Sequence, residues 1–158
     1  MADNIKAVTS GAGPGAKPPN VCFGCGEANV GGMHLPFSRD EAARRVIGEF
    51  RLGDRYQGAP GIVHGGIVAL VLDEALSKVS KFFGLRAVTA ELQVEYLRPV
   101  RTGQDLRVEA SNERCEGAHL YHFGEIRDTH GRVLARAKGR FVAVNVDRFL
   151  AANKETGK

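Results

Sequence analysis

Gly61–Gly84, GIVHGGIVALVLDEALSKVSKFFG, decides how this chain folds. A histidine and two glycines open it, and about 20 residues follow with no proline and no internal glycine. That pattern predicts a glycine-rich turn feeding one long helix, closed by Gly84 as the residue just past its C-terminus. At 100° per residue, Val68, Leu72, Ala75, Leu76, Val79 and Phe83 share one face. Glu74, Lys78 and Lys81 share the other, with Glu74–Lys78 as a stabilising i,i+4 pair that keeps Glu74 towards solvent. Ile67, Leu70 and Val71 make the first half apolar all round, so that half should be wrapped by protein and the second half half-solvated. Asp73 stands where the wrapping ends. A carboxylate there is costly unless something satisfies or uses it.

Outward from the helix, the chain alternates strand and turn. Residues 42–52 place Val46, Gly48, Phe50 and Leu52 on one face and Arg45, Ile47, Glu49 and Arg51 on the other, a strand with one wet face. The loop 53–63 carries four breakers. After Gly84, strands are predicted over 87–97, 106–115, 119–127 and 132–146, separated by Pro99, Thr102-Gly103, Glu116-Gly117 and the Asp128–Gly131 hairpin loop. Val88, Ala90, Leu92, Val94 and Tyr96 alternate with Thr89, Glu91, Gln93 and Glu95. Short connections between successive strands read as an antiparallel meander. One sheet and one helix that is apolar all round bury each other only if the sheet curls around the helix. The fold class is α+β. The sheet edges left open predict dimerisation, edge to edge.

Residues 1–20 are small, polar and Gly/Pro-rich and are expected to form a flexible tail, and 147–158 a polar C-terminal tail, with one domain at 21–146 between them. Residues 21–37 are expected to fold back as a loop whose Val21, Phe23, Met33, Leu35 and Phe37 cover the core edge. The 158 residues are 43% hydrophobic and 25% charged, an ordinary globular balance with a formal net charge of +4. Basic residues are scattered rather than striped and Trp is absent, which argues against nucleic acid and leaves room for a phosphorylated small molecule. No apolar run reaches the length of a membrane span and no signal-peptide core opens the chain, so the expected compartment is the cytoplasm.

Cys22 and Cys25 form a CxxC, open to a metal, a redox or a merely structural reading. Four zinc ligands are not in sight, since Cys115 and His34 would complete a set only by accident of folding. The βαβ setting of a redox pair is missing too. The expectation is structural, with no metal and no cofactor.

Three groups gather chemistry around the helix. Gly65-Gly66 supplies backbone N–H groups at a positive helix end, the makings of an oxyanion hole. His64 stands directly before them as a hydrogen-bonding or acid–base group. Asp73 follows, with seven residues and about 10 Å of helix rise between it and Gly66. One helix cannot bring both to the same carbonyl, so groups acting together would come from two subunits.

GIVHGGIVALVLDEAL resembles the signature of the hotdog-fold thioesterases of the PaaI/4-hydroxybenzoyl-CoA thioesterase-like superfamily. The likeness continues through VTAELQVEYLRPVRTGQDLRVEA and GRVLARAKGRFVAV and spans about residues 42–146. CFGCGEANVGGMHLPF is similar to a leader found in one branch and is taken as a mark of that branch. The resemblance implies a curled antiparallel sheet around a central helix, homodimers often paired into homotetramers, and acyl-CoA substrates. It implies Asp73 as catalytic base or nucleophile, Gly66 as oxyanion donor and His64 as the residue orienting the thioester. Thr89 matches a position that holds the attacking water in some members, on a polar strand face with Glu91 and Gln93. Gln57 stands in a loop where many relatives have Asn or His. With Gly65, Ala118 and His119 it is expected along the substrate path, and Arg98, Arg101, Lys138 and Arg140 are candidates for the CoA phosphates. Thioester hydrolysis is the leading reading. An acyl-CoA-binding or sensing protein without catalysis and a hotdog hydratase or dehydratase stay open as alternatives.

Overall fold

The computed structural model describes residues 18–145. The tails expected at 1–20 and 147–158 fall outside the described residues except for 18–20. Six strands and one helix follow in the order β1 (Ser38–Asp40), β2 (Arg45–Arg51), α1 (Gly65–Val79), β3 (Ala87–Tyr96), β4 (Asp105–Glu116), β5 (His119–Asp128) and β6 (Val133–Ala143). The strands form one antiparallel sheet curled around α1, in the spatial order β1-β2-β4-β5-β6-β3. This is the expected hotdog architecture.

The helix lies where its sequence put it. His64 caps its N-terminus, and a single 3-10 turn, Ser80–Phe83, leads to Gly84, which takes the left-handed φ of 65° that ends helices at little cost to glycine. Val68, Val71, Leu72, Ala75, Leu76 and Val79 are buried. They meet the concave face of the sheet, from which Val46, Val108, Leu120, Ile126 and Phe141 project. Packing there is close. A Cβ on Gly139 of β6 would stand 2.6 Å from Phe141 and 3.2 Å from Leu76, so the glycine leaves room for both side chains.

Four sequence expectations change. The strand expected from 42 begins at Arg45, because Asp40 Oδ1 accepts from the Ala43 N–H and residues 41–44 form the turn after β1. The long last strand stops at Ala143 rather than 146. The meander holds only for β4-β5-β6. β3 lies at the far edge against β6, and β2 takes the place beside β4. The segment between β3 and β4 is therefore a crossing connection. It is tied by the Val63 N–H to Val100 O bond of 2.8 Å and by a bridge between Ile62 and Arg101, so the loop before the helix and the loop after β3 brace each other. Finally, Met33, Leu35 and Phe37 cover the core edge as expected, but Val21 and Phe23 are exposed.

The convex face of the sheet is laced with ion pairs, among them Arg45–Glu109, Arg107–Glu49, Arg136–Glu95 and Arg140–Glu91. One edge is different. Among the described residues β3 pairs on one side only, and Leu85, Val88, Tyr96 and Leu97 along and beside it are exposed. Among the described residues no helix is long and apolar enough to cross a membrane.

Candidate active site

α1 sets two chemical groups at two places on its length. At its start, the His64 backbone N–H donates to Tyr56 O at 2.8 Å, fixing the residue in the cap position. The His64 ring then turns back, and Nδ1 accepts the Gly66 N–H at 2.9 Å. This is an ordinary N-cap made with an imidazole. It has a chemical consequence: a neutral ring whose Nδ1 accepts must carry its proton on Nε2, which points that N–H outward as a donor. The Gly66 N–H lies at the helix end and is engaged by the His64 ring. The Tyr96 hydroxyl donates to Gly65 O at 2.8 Å and ties β3 to the same turn.

Two turns further on, Asp73 is half-buried, and Thr89 Oγ1 donates to its Oδ1 at 2.8 Å. Burial pushes the Asp73 carboxyl above its ordinary value, the Thr89 hydroxyl pulls it down, and the neighbouring Glu74 charge pushes it up, with a net rise. The contact with Thr89 rests on a feature that alternation did not reveal. A register shift between Thr89 and Glu91 in the β3–β6 ladder places an extra residue in β3. Beyond the bulge, Leu92 and Val94 pack on the core while Glu91 pairs with Arg140 on the outer face. Thr89 therefore faces α1, not the face of Glu91 and Gln93 to which simple alternation assigned it.

The other candidates divide into groups. Arg98 and Arg101 lie on the crossing connection close to the helix start. Arg98 donates to Val133 O at 2.7 Å, and the Arg101 backbone bridges to Ile62. A groove of about 380 Å³ runs there between Gly65, Val68, Tyr96 and Arg98. Gln57 holds its own loop together, its Oε1 accepting the Gly61 N–H at 3.2 Å. Lys138 and Arg140 project from the convex face, on the far side of the sheet from Asp73. Lys138 stands 4.0 Å from Glu113, and Arg140 bonds both Glu91 and His119 Nδ1 at 3.4 Å. Ala118 is exposed in the β4–β5 turn beside His119. Within one chain, then, His64, Gly65, Gly66, Arg98 and Arg101 cluster at the helix start, Asp73 meets Thr89, and Lys138, Arg140, Ala118 and His119 form a third group.

Sequence reasoning missed Tyr96, whose alternation signalled only a strand face. It also misread Glu74. That carboxylate is not directed to solvent: the leader folds over it, leaving its side chain 16% exposed and its Lys78 partner 15%.

With this geometry in view, known proteins supply the frame. The family model described as Thioesterase superfamily matches residues 60–135, from the loop before α1 into β6. The crystal structure of a thioesterase superfamily protein is 31% identical and superposes with a TM-score of 0.68, covering 72% of this chain and 56% of that one. The E. coli PaaI protein from the phenylacetic acid degradation operon superposes at 0.64 with 17% identity, over 70% of this chain and 80% of that one. A Streptococcus mutans protein solved bound to acetyl CoA superposes at 0.65 with 19% identity, over 70% and 89%, and like PaaI it speaks for the fold alone. The chain has the hotdog fold of these proteins and resembles the thioesterase superfamily over the helix and the strands that follow it. Among curated relatives, the acyl-coenzyme A thioesterase THEM4 of Rattus norvegicus is 27% identical over 120 residues, 75% of this chain, and the Bos taurus protein is 27% identical over 123. The chain spans about half the length of these relatives, 52% and 50% respectively.

Proposed function

We propose that this protein hydrolyses acyl-CoA thioesters, with Asp73 as the base and His64 and Gly66 as the electrophilic side of the site. The observation that carries this is the half-buried Asp73 carboxylate held by the Thr89 hydroxyl and raised by burial. A carboxylate whose affinity for a proton is raised by burial is a stronger base than an exposed one. In the step we envisage, Asp73 takes a proton from a water whose oxygen attacks the thioester carbon, and Thr89 holds the carboxylate in line. The oxygen of the tetrahedral intermediate gathers negative charge and accepts from the Gly66 N–H and His64 Nε2–H at the positive end of α1. Collapse breaks the C–S bond, the thiolate of CoA leaves with the electron pair, and the Asp73 proton neutralises it. A thioester carbonyl is electrophilic enough for so small a set of groups.

Seven residues separate Gly66 from Asp73, about 10 Å of rise along one helix, so both halves cannot serve one carbonyl from a single chain. A homodimer that brings the helix start of one chain to the Asp73 of the other resolves this. The one-sided β3 edge, with its exposed Val88, Tyr96 and Leu97, is our choice of seam, and a further pairing of such dimers into tetramers is part of the same proposal. Arg98 and Arg101 near the groove at the helix start are our first choice for the CoA phosphates, with Lys138, Arg140, Ala118 and His119 contributing from the other subunit. The three cysteines are free, which fits a reducing cytoplasm.

The test is thiol release from a panel of acyl-CoA substrates. Wild type is expected to release CoA from at least one member, and Asp73→Asn to lose about 10²- to 10⁴-fold in kcat. Binding of acyl-CoA with no thiol release from any member would favour a binding or sensing module instead. Full activity in Asp73→Asn would remove Asp73 from the mechanism.

A further inference from the structure

The leader closes on α1 at a cluster that the proposed reaction does not use. The Cys22 thiol donates to Glu74 Oε1 at 3.1 Å, and Lys78 Nζ stands 2.9 Å from Cys25 Sγ and 3.3 Å from Glu74 Oε2. The Cys22 and Cys25 sulfurs and a Glu74 oxygen all lie within 4.8 Å of one another. Glu74 Oε2 is buried and accepts no hydrogen bond. Its ion-pair partner among the described residues is the Lys78 ammonium at 3.3 Å, a contact that leaves its hydrogen-bonding capacity unfilled.

The loop is shaped to bring these groups together. A Cβ on Gly24 would stand 2.4 Å from Glu74 Cγ, so only glycine lets the turn lie on the carboxylate. The turn is closed by the Gly26 N–H to Cys22 O bond of 2.8 Å, and Asn20 Oδ1 accepts the Cys22 N–H at 3.1 Å. A hollow of about 260 Å³ opens beside Asn20, Cys25 and Lys78, with room for a water.

We propose that Cys22, Cys25 and Glu74 bind one Zn²⁺, with water as the fourth ligand, and that the ion staples the leader to the central helix. Two thiolates and a carboxylate within one coordination sphere match the softness and tetrahedral preference of zinc. Charge also balances. Without metal, the two thiols are neutral and Glu74 is paired with Lys78. Binding exchanges the two thiol protons for one Zn²⁺, so the buried cluster keeps its net charge. Lys78 stays as an N–H donor to the Cys25 sulfur, an outer-shell positioning role. The CxxC was short of ligands in the sequence because the third arrives from a helix 49 residues beyond Cys25. Neither the thioesterase reading nor its failure bears on this site.

The experiment uses the full chain, reduced and stripped of metal, titrated with Co²⁺ and Zn²⁺ as probes. One Co²⁺ per chain is expected, with a thiolate-to-cobalt charge-transfer band and the intense visible bands of a tetrahedral site, and Zn²⁺ should displace it. Cys115→Ser, which removes a distant exposed thiol, should leave stoichiometry and spectrum unchanged. Cys22→Ser and Cys25→Ser should each weaken the charge-transfer band and lower affinity at least about 10-fold, and Glu74→Gln should shift the visible bands with a similar loss. Circular dichroism on each variant reports whether the fold survives. Wild-type protein that takes up no Co²⁺, or that binds it with a spectrum indifferent to Cys22, Cys25 or Glu74, would overturn the site. The wild-type titration decides this even where a variant fails to fold.

Discussion

Asp73 and Glu74 are neighbours in sequence and opposites in environment. Burial raises the first, whereas the second is held low by the Cys25, Cys22 and Lys78 groups around it, which outweigh its own desolvation. The acid limb of kcat/KM should therefore lie above the ordinary Asp range. Thr89→Val should move that limb further up, because the hydroxyl is the one group pulling the Asp73 carboxyl down. A pH–rate profile of the two proteins checks this, and an unmoved limb in Thr89→Val would detach Thr89 from the base. His122 gives a prediction of a different kind. It is fully buried beside the end of α1, 3.2 Å from Ser80 Oγ and with its ring tilted 33° against that of Phe141, and desolvation lowers it to about 4. The unfolded chain takes up this proton near pH 6.5 and the folded chain only near 4, so its stabilising effect is complete above 6.5 and is lost as pH falls towards 4. Between pH 7 and 5, unfolding by urea should show a loss on the order of 2 kcal/mol from this residue, absent in His122→Gln.

At the scale of elements, α1 was legible because its signals are local: cap, apolar stripe and terminal glycine all lie within 24 residues. The same locality gave the strand faces of β2, where Val46 and Gly48 are buried between exposed Arg45 and Glu49. Strand order was not legible. Whether β3 pairs with β4 or with β6 depends on the crossing connection, and nothing in Leu97–Gln104 alone announces that Val100 will hold the loop before the helix. The bulge at Thr89 was invisible for a related reason, since an extra residue in a ladder shows only once its partner strand is known. Asp73 could be singled out from helix phase, but the direction of Thr89 and the covering of Glu74 by the leader could not. Leu76, buried against Phe141 and Gly139 at the centre of the curl, should cost about 2–5 kcal/mol when truncated to alanine, read from thermal or denaturant unfolding.

For the whole molecule, the decisive matter is which chain supplies which half of the site. The curled sheet protects its concave face with α1 and its convex face with ion pairs, and leaves β3 as an edge with apolar neighbours. A dimer across that edge would join the His64–Gly66 end of one helix to the Asp73–Thr89 pair of another. Co-expression of two inactive variants, His64→Ala and Asp73→Asn, tests this directly. Random pairing makes half of the dimers mixed, and each mixed dimer carries one site with both defects and one with neither. The account predicts recovery of roughly a quarter of wild-type thiol release from acyl-CoA, as expected for an isologous dimer with composite sites. Activity no higher than the residual rates of the two variants alone would mean that His64 and Asp73 act within one chain or not together, and would contradict it.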